Sequence, residues 1–394
     1  MVLNKLLGIC AKNGPMNSFK KYNLFVLIGA VLVLTFNACK KNIKEDEIIP
    51  EDSFDKSGML ANIGNNIIIP AYANLKISLD SLQASSNLFI ANPTLSTLTK
   101  LQTIFSQTYK NYESTAAFEF GPAEDEYFRT NFNVFPCDTL QINSKISNAD
   151  FILVAASDMD AKGLPAIDYL LYGSNKDNNI VLAKFTIDGH ASNAKTYLAG
   201  LINELKTKCD AVNKGWSSSG GNYISAFKST AGSDVGGSIG MLVNQLNYDL
   251  ELLKNTQLGI PLGKKTLGVA QPTKVEALYS EQSLVLVAAH LKSIENIYLG
   301  RSTSDIEGLG LDDYLAHIGT QYESGSLNDA IKNKFSMAKN LLSLIPGTLT
   351  DAVISNASVV DAAYIALQQL VILLKVDMPS ALGVSITYVD NDGD

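Results

Sequence analysis

The chain is poor in the residues that metal and thiol chemistry most often use. Four cysteines among 394 residues are too few for a disulfide scaffold, and a polypeptide of this length, roughly two or three ordinary domains, buries a core without one. Only three histidines occur, His190, His290 and His317; there is no HExxH or CxxC pattern, and no His or Cys stands three or four residues from another. A zinc site preformed on one helix is therefore not expected, and each histidine reads as a surface or helix-end residue. Cationic stripes are lacking past residue 60. Acids outnumber bases 39 to 31, so nothing would concentrate or neutralise a polyanion, and nucleic acid is excluded as a partner. Strand-like alternation is scarce too: Ile180–Ile187 (IVLAKFTI) is the one stretch with strand character, too isolated to make a sheet and ambiguous as it stands.

What is present begins with an address. From Met16 the chain reads MNSFKKYN, then an apolar run from Leu24 to Phe36, then Asn37, Ala38 and Cys39. A basic head, a short apolar run and a small residue before the break make a secretory signal, too short for a comfortable permanent span. Cys39 directly after Ala38 is the pattern of a bacterial lipoprotein, in which the thiol is acylated and becomes the new N-terminus. Residues 1–38 are thus expected to be removed, with 1–15 an upstream start. That removal takes away four lysines and no acids, leaving 27 bases against 39 acids on a chain held to a membrane through Cys39. Residues 39–56 are polar, acidic and aperiodic, a flexible stalk. Cys137 and Cys209 either pair in an oxidising envelope or stay as buried thiols.

Past the stalk, apolar residues recur every three or four positions. Val235, Ile239, Leu242, Leu246, Leu250 and Leu253 form one stripe; Leu284, Val287, Leu291, Ile294 and Tyr298 form another; Val360, Ala363, Leu367, Leu370 and Leu374 a third. A further helix runs through Leu98, Leu101, Phe105 and Tyr112, and a long one over 57–88 should be kinked or interrupted at Pro70. The expected fold is all-α, two helical-bundle modules packed side by side: 57–215 and 241–394, joined by a Gly/Ser-rich connection over 216–240.

Several local patterns imitate functional motifs. Gly236–Gly240 matches G-x-S-x-G, but no apolar strand precedes it and no βα alternation exists to hold a nucleophile elbow, so Ser238 reads as part of a glycine-rich loop. Asp158, Asp160 and Gly163 imitate a calcium loop, which fails because Lys162 and Tyr169 stand where oxygen ligands belong. Asp390, Asp392 and Asp394 form an acidic tail. Glu113, Glu119, Glu124, Asp125 and Glu126 gather around Phe120-Gly121-Pro122, either as an acidic first helical turn or as a carboxylate site for a hard cation.

Four islands together resemble the imelysin family of envelope proteins, also called iron-regulated or insulin-cleaving lipoproteins. They are Phe118–Pro122 (FEFGP), which follows a helix bearing Tyr109, Tyr112 and Glu113; Lys162–Gly173 (KGLPAIDYLLYG), similar to the family's GxHxxE segment; Tyr279-Ser280 and Ser283, leading into a helix that ends NIYLGR; and Ser380–Asp394 at the close. The resemblance implies helical bundles with the motif near their junction, and either metallopeptidase activity or iron uptake. The departure is that the motif's His falls on Pro165 and its Glu on Asp168. Proline has no imidazole, and aspartate keeps the charge with less reach. A helix starting near Pro165 would put Asp168 at its N-terminus, as a cap or as a ligand.

These features point to a non-catalytic, lipid-anchored binding protein in acquisition of iron or another nutrient. The candidate ligand-binding residues are Asp168, Tyr279, Ser280, Ser283 and Glu113; Asp168 is the metal candidate, iron or calcium is the expected ion class, zinc is disfavoured, and an outer-membrane transporter is the expected partner. The alternatives are a metallopeptidase drawing on His290 or His317 with Asp168, and a structural or protein-docking lipoprotein.

Overall fold

A computed structural model describes residues 54–388, so the signal segment, Cys39 and the acidic tail lie outside the described residues. The helices of eight residues or more are α1 (Ile69–Ala91), α2 (Leu95–Tyr112), α3 (Thr139–Ser147), α4 (Gly163–Tyr172), α5 (Ala191–Trp216), α6 (Ser238–Leu252), α7 (Ser283–Tyr298), α8 (Leu311–Ile318), α9 (Leu327–Ser343) and α10 (Ala357–Ile372). Among the described residues the only strands are Gln321–Tyr322 and Gly325–Ser326, a two-stranded antiparallel ladder. The fold is all-α, as expected. Of the ambiguous stretch at 180–187, residues up to Lys184 belong to a helix, Asn178–Lys184, opened by the Asp177 carboxylate accepting the Asn179 N–H, and the last three form a turn.

The predicted stripes are buried: Leu98, Leu101 and Phe105 on α2, Ile239, Leu242, Leu246 and Leu250 on α6, and Val360, Ala363, Leu367 and Leu370 on α10 are all closed to solvent. One end of the second stripe is corrected. Val235 is 60% exposed and precedes α6, because the glycines at 236 and 237 delay the helix to Ser238. α1 packs along α2 and α5, α9 along α10, and α7 lies against α2, α6 and α9. The buried apolar residues form one continuous cluster from Met59 to Val384. Ala357–Leu382 is long and apolar enough to cross a membrane by length and composition alone, yet its stripe is part of this core.

The interruption expected at Pro70 has a specific form, repeated twice. Pro70, Pro261 and Pro379 each stand second in a helical segment that continues directly from a π-helical stretch: Ile63–Ile68, Leu253–Gly259 and Leu373–Asp377. Proline has no N–H, and its ring collides with the carbonyl four residues back. Widening the turn relieves that collision, and the residue before each proline donates to the carbonyl five back: Ile69 to Gly64, Ile260 to Asn255, Met378 to Leu373. The chain bends its hydrogen-bond register without breaking the helix. The middle stretch also carries Gln257 inward, which matters for the site.

A buried acidic cavity as the candidate functional site

Glu113 is the C-cap residue of α2, Asp249 sits near the end of α6, and Gln257 comes from the π-helical stretch that follows. His290 lies in the middle of α7, in phase with the buried Val287, Leu291 and Ile294. The sequence reading of His290 as a surface or helix-end residue is therefore corrected: it is 4% exposed, because its position on the 3.6-residue period faces the core. His190 stands at the N-cap position of α5, without a side-chain capping hydrogen bond, and His317 lies in the last turn of α8.

These groups meet around a cavity of about 110 Å³ whose wall also includes Tyr112, Arg129, Asn133 and Phe135. His290 is engaged through both ring nitrogens. Nε2 lies 2.5 Å from Asp249 Oδ2, and Nδ1 lies 3.2 Å from Gln257 Oε1 and 3.3 Å from Glu113 Oε2. Asp249 is held from the other side by the Arg129 guanidinium, 3.4 Å from Oδ1, which also donates to the Ala116 carbonyl at 2.8 Å. Behind Glu113 stands Glu276, fully buried, accepting from Asn133 Nδ2 at 2.6 Å and from Gln257 Nε2; Asn133 in turn accepts from the Tyr109 hydroxyl.

Burial raises the pKa of Glu113 well above the carboxylate range, and the neighbouring Glu276 charge raises it further. Burial raises Glu276 as well, opposed by the amide of Asn133 and its other hydrogen-bond partners. Two adjacent carboxyls out of water do not both ionise, so a proton is retained between them. Glu113 Oε1 has no hydrogen-bond donor of its own. An orphaned buried oxygen at a cavity wall is the feature that a ligand supplying a donor or a positive charge would satisfy.

Asp168 forms a second polar focus. It is fully buried and is the sixth residue of α4, which begins at Gly163, so the expectation of an N-terminal cap is corrected. Its carboxylate accepts the backbone N–H of Tyr279 at 2.9 Å and of Ser280 at 3.1 Å. Burial pushes its pKa up to about 7 against those hydrogen bonds. Ser283 Oγ donates to the Glu276 carbonyl, and the Tyr279 ring rests on Tyr169. Segment 276–283 thus joins Asp168, Tyr279, Ser280 and Ser283 on one side to Glu276, and so to Glu113, on the other. Pro165 occupies the third position of α4, where a missing N–H costs nothing. Gly163, with φ +77°, lies so close to the Phe132 carbonyl oxygen that an added Cβ would come within 2.5 Å of it.

The remaining candidates separate. Glu119 accepts the Arg129 N–H, while Glu124 and Asp125 point out from the Pro122–Asp125 turn, so the acidic gathering does not converge on one ion. Asp158 is occupied by Lys145 at 3.0 Å, and Ser238 opens α6 beside the Thr230 hydroxyl with no strand before it. Cys137 and Cys209 are free thiols, both pushed up to about 12 by burial. His290 pairs with Asp249 and Glu113, not with Asp168. Among the described residues no group of three His, Cys, Asp or Glu side chains is arranged to hold a metal ion. Asp168 has spent its oxygens on backbone donors and His290 has both nitrogens bonded, so these residues do not fit a resident zinc.

Sequence reasoning missed Asp249, Gln257, Glu276 and Arg129. Only His290 left a signal, as the one polar residue inside the apolar run LVLVAAHL at 284–291.

Residues 68–375 match the family model described as Imelysin, peptidase M75. The chain belongs to the imelysin family. Two solved structures share the fold of this imelysin-family protein. An iron-regulated protein A precursor from Parabacteroides distasonis ATCC 8503 has a TM-score of 0.70 at 16% identity, covering 83% of this chain and 95% of its own. An imelysin-like protein from Psychrobacter arcticum 273-4 has a TM-score of 0.63 at 16% identity, covering 84% and 97%. No curated protein matches this chain. Membership of the family agrees with the resemblance read from the four sequence islands.

Proposed function

We propose that this imelysin-family protein is an exported, lipid-anchored binding protein that captures iron or another small cationic nutrient, with the orphaned Glu113 oxygen at the wall of the buried cavity as its contact, and that it does not cleave peptides. The observation that carries the reading is the pairing of Pro165 with a saturated Asp168. At the two positions where the family motif supplies an imidazole and a carboxylate, one side chain has no donor atom and the other is consumed by the Tyr279 and Ser280 N–H groups. A zinc peptidase needs protein ligands that leave one position open for water. The orphaned Glu113 Oε1 and the acidic balance of the chain instead favour a positively charged cargo with oxygen ligands, such as iron(III) or calcium. The signal segment and Cys39 support export and a lipid anchor, and the P. distasonis neighbour is itself described as an iron-regulated precursor.

Calorimetric titration of the purified chain with iron(III) citrate, calcium and zinc tests the proposal. Saturable binding of a hard cation, weakened at least tenfold in Glu113→Gln, is the expected result. No binding, or cleavage of an unfolded polypeptide that a chelator abolishes, would overturn it.

A further inference from the structure

Helix α7 is apolar on two faces. One carries Val287, Leu291 and Ile294 into the core; the other presents Leu284, Val285, Ala288 and Ala289 outward, with Val285 half exposed. Ala288 and His290 are two residues apart and so point roughly 200° apart around the helix, which separates this outer face from the buried cavity. With Leu342 from the last turn of α9 and Ile345 just beyond it, the outer face forms an open groove of about 580 Å³, within the size range of small-ligand pockets. The two alanines make the floor. The apolar stretch from Leu284 to Lys292 spans about 12 Å at 1.5 Å per residue.

The charged side chains that line this groove are all basic, although two of the three meet a carboxylate just outside it. Lys110, Lys292 and Lys339 line it, and no carboxylate and no aromatic ring does, in a chain where acids outnumber bases. Lys339 is neutralised by a two-oxygen contact with Glu295 at 2.6 Å. Lys292 reaches Asp305 at 3.3 Å, but both are more than half exposed, and such a pair holds its lysine weakly. Lys110, in the last turn of α2, is exposed at the groove's edge. Aliphatic walls without rings suit a flexible hydrocarbon chain, and a lysine rim suits a single anionic head.

We propose that this groove binds a medium-chain fatty acid, its acyl chain laid over Ala288 and Ala289 and its carboxylate between Lys110 and Lys292. The test is displacement of a dansyl-labelled undecanoate from the purified full chain by dodecanoate, dodecanol and dodecyltrimethylammonium. Dodecanoate is expected to displace the probe saturably, with dodecanol at least tenfold weaker and the cation weaker still. Ala288→Trp, an exposed position, should cut dodecanoate affinity at least tenfold, and Val285→Asp should do the same if the tryptophan variant does not fold. Lys110→Glu should weaken dodecanoate several-fold and leave dodecanol unchanged. Equal displacement by all three amphiphiles would mean plain hydrophobic adsorption and would overturn the proposal. So would no displacement, indifference to both floor variants, or a concentration-dependent dimer that Ala288→Trp abolishes without any fatty-acid binding.

Discussion

Asp168 and Tyr279 are 111 residues apart in the chain, and the fully buried carboxylate of the first accepts the backbone N–H of the half-buried second at 2.9 Å. That contact ties the motif helix α4 to the segment that delivers Glu276 behind Glu113. Replacing Asp168 by Ala leaves the partly buried N–H groups of Tyr279 and Ser280 without their acceptor, at up to about 1–3 kcal/mol each. Urea unfolding should show the loss as a lower midpoint; an unchanged midpoint would mean that the donors find water.

The same residue sets a pH dependence whose sign is the reverse of an ordinary salt-bridged acid. Its folded pKa, about 7, lies above the unfolded value near 3.8, so the folded state holds the proton more tightly. The contribution is fully present below pH 4 and is lost as pH rises toward 7. Asp168→Asn, which cannot ionise, should flatten that slope between pH 4 and 7 in a series of urea melts. Equal slopes in the two proteins would show that Asp168 stays ionised.

Glu113→Gln is expected to separate stability from binding. The amide removes the penalty of a second buried carboxyl beside Glu276 and can donate to it, so thermal stability at neutral pH should hold or rise. Cargo affinity should fall at the same time. A variant that loses both together would argue that Glu113 is simply a structural acid.

His290 and Asp249 are coupled across a 2.5 Å contact, with Arg129 on the far side of the carboxylate. His290→Leu takes away a buried hydrogen-bond partner of Asp249, and leaving a buried polar group with an unmade bond costs about 1–3 kcal/mol. The double change with Asp249→Leu should cost less than the sum of the single changes. A double-mutant cycle measured by denaturation gives the coupling, expected at about 1–3 kcal/mol; additivity within a few tenths would mean that the contact is energetically idle.

Gly163→Ala tests the approach of α4 to the Phe132 carbonyl. The residue has φ +77°, and its Cβ would lie 2.5 Å from that oxygen, so the substitution strains both backbone and packing. A loss of at least about 1 kcal/mol in unfolding free energy is expected.

Local patterning carried the helices because burial on a 3.6-residue period is written in the order of apolar residues; the spacing of Ile239, Leu242, Leu246 and Leu250 puts them on one face, and that face is buried. It failed at helix starts, where two glycines moved α6 past Val235, and at 180–187, where β-branched residues imitate a strand until Asp177 opens a helix. The motif islands singled out Asp168, Tyr279, Ser280 and Ser283, which meet at segment 276–283, and Glu113, which lies at the separate cavity. Asp249, Gln257 and Glu276 left no pattern, since each is a single polar residue whose partner lies on another element.

The order of residues alone therefore determined an acidic, all-α chain and its membership of the imelysin family. Tertiary structure alone decided that Asp168 spends its charge on a distant backbone, that His290 turns inward between two carboxylates, and that Glu113 and Glu276 share a buried contact. The reason is physical: periodicity records which face of a helix meets oil or water, whereas desolvation and hydrogen bonding depend on which elements that burial then presses together.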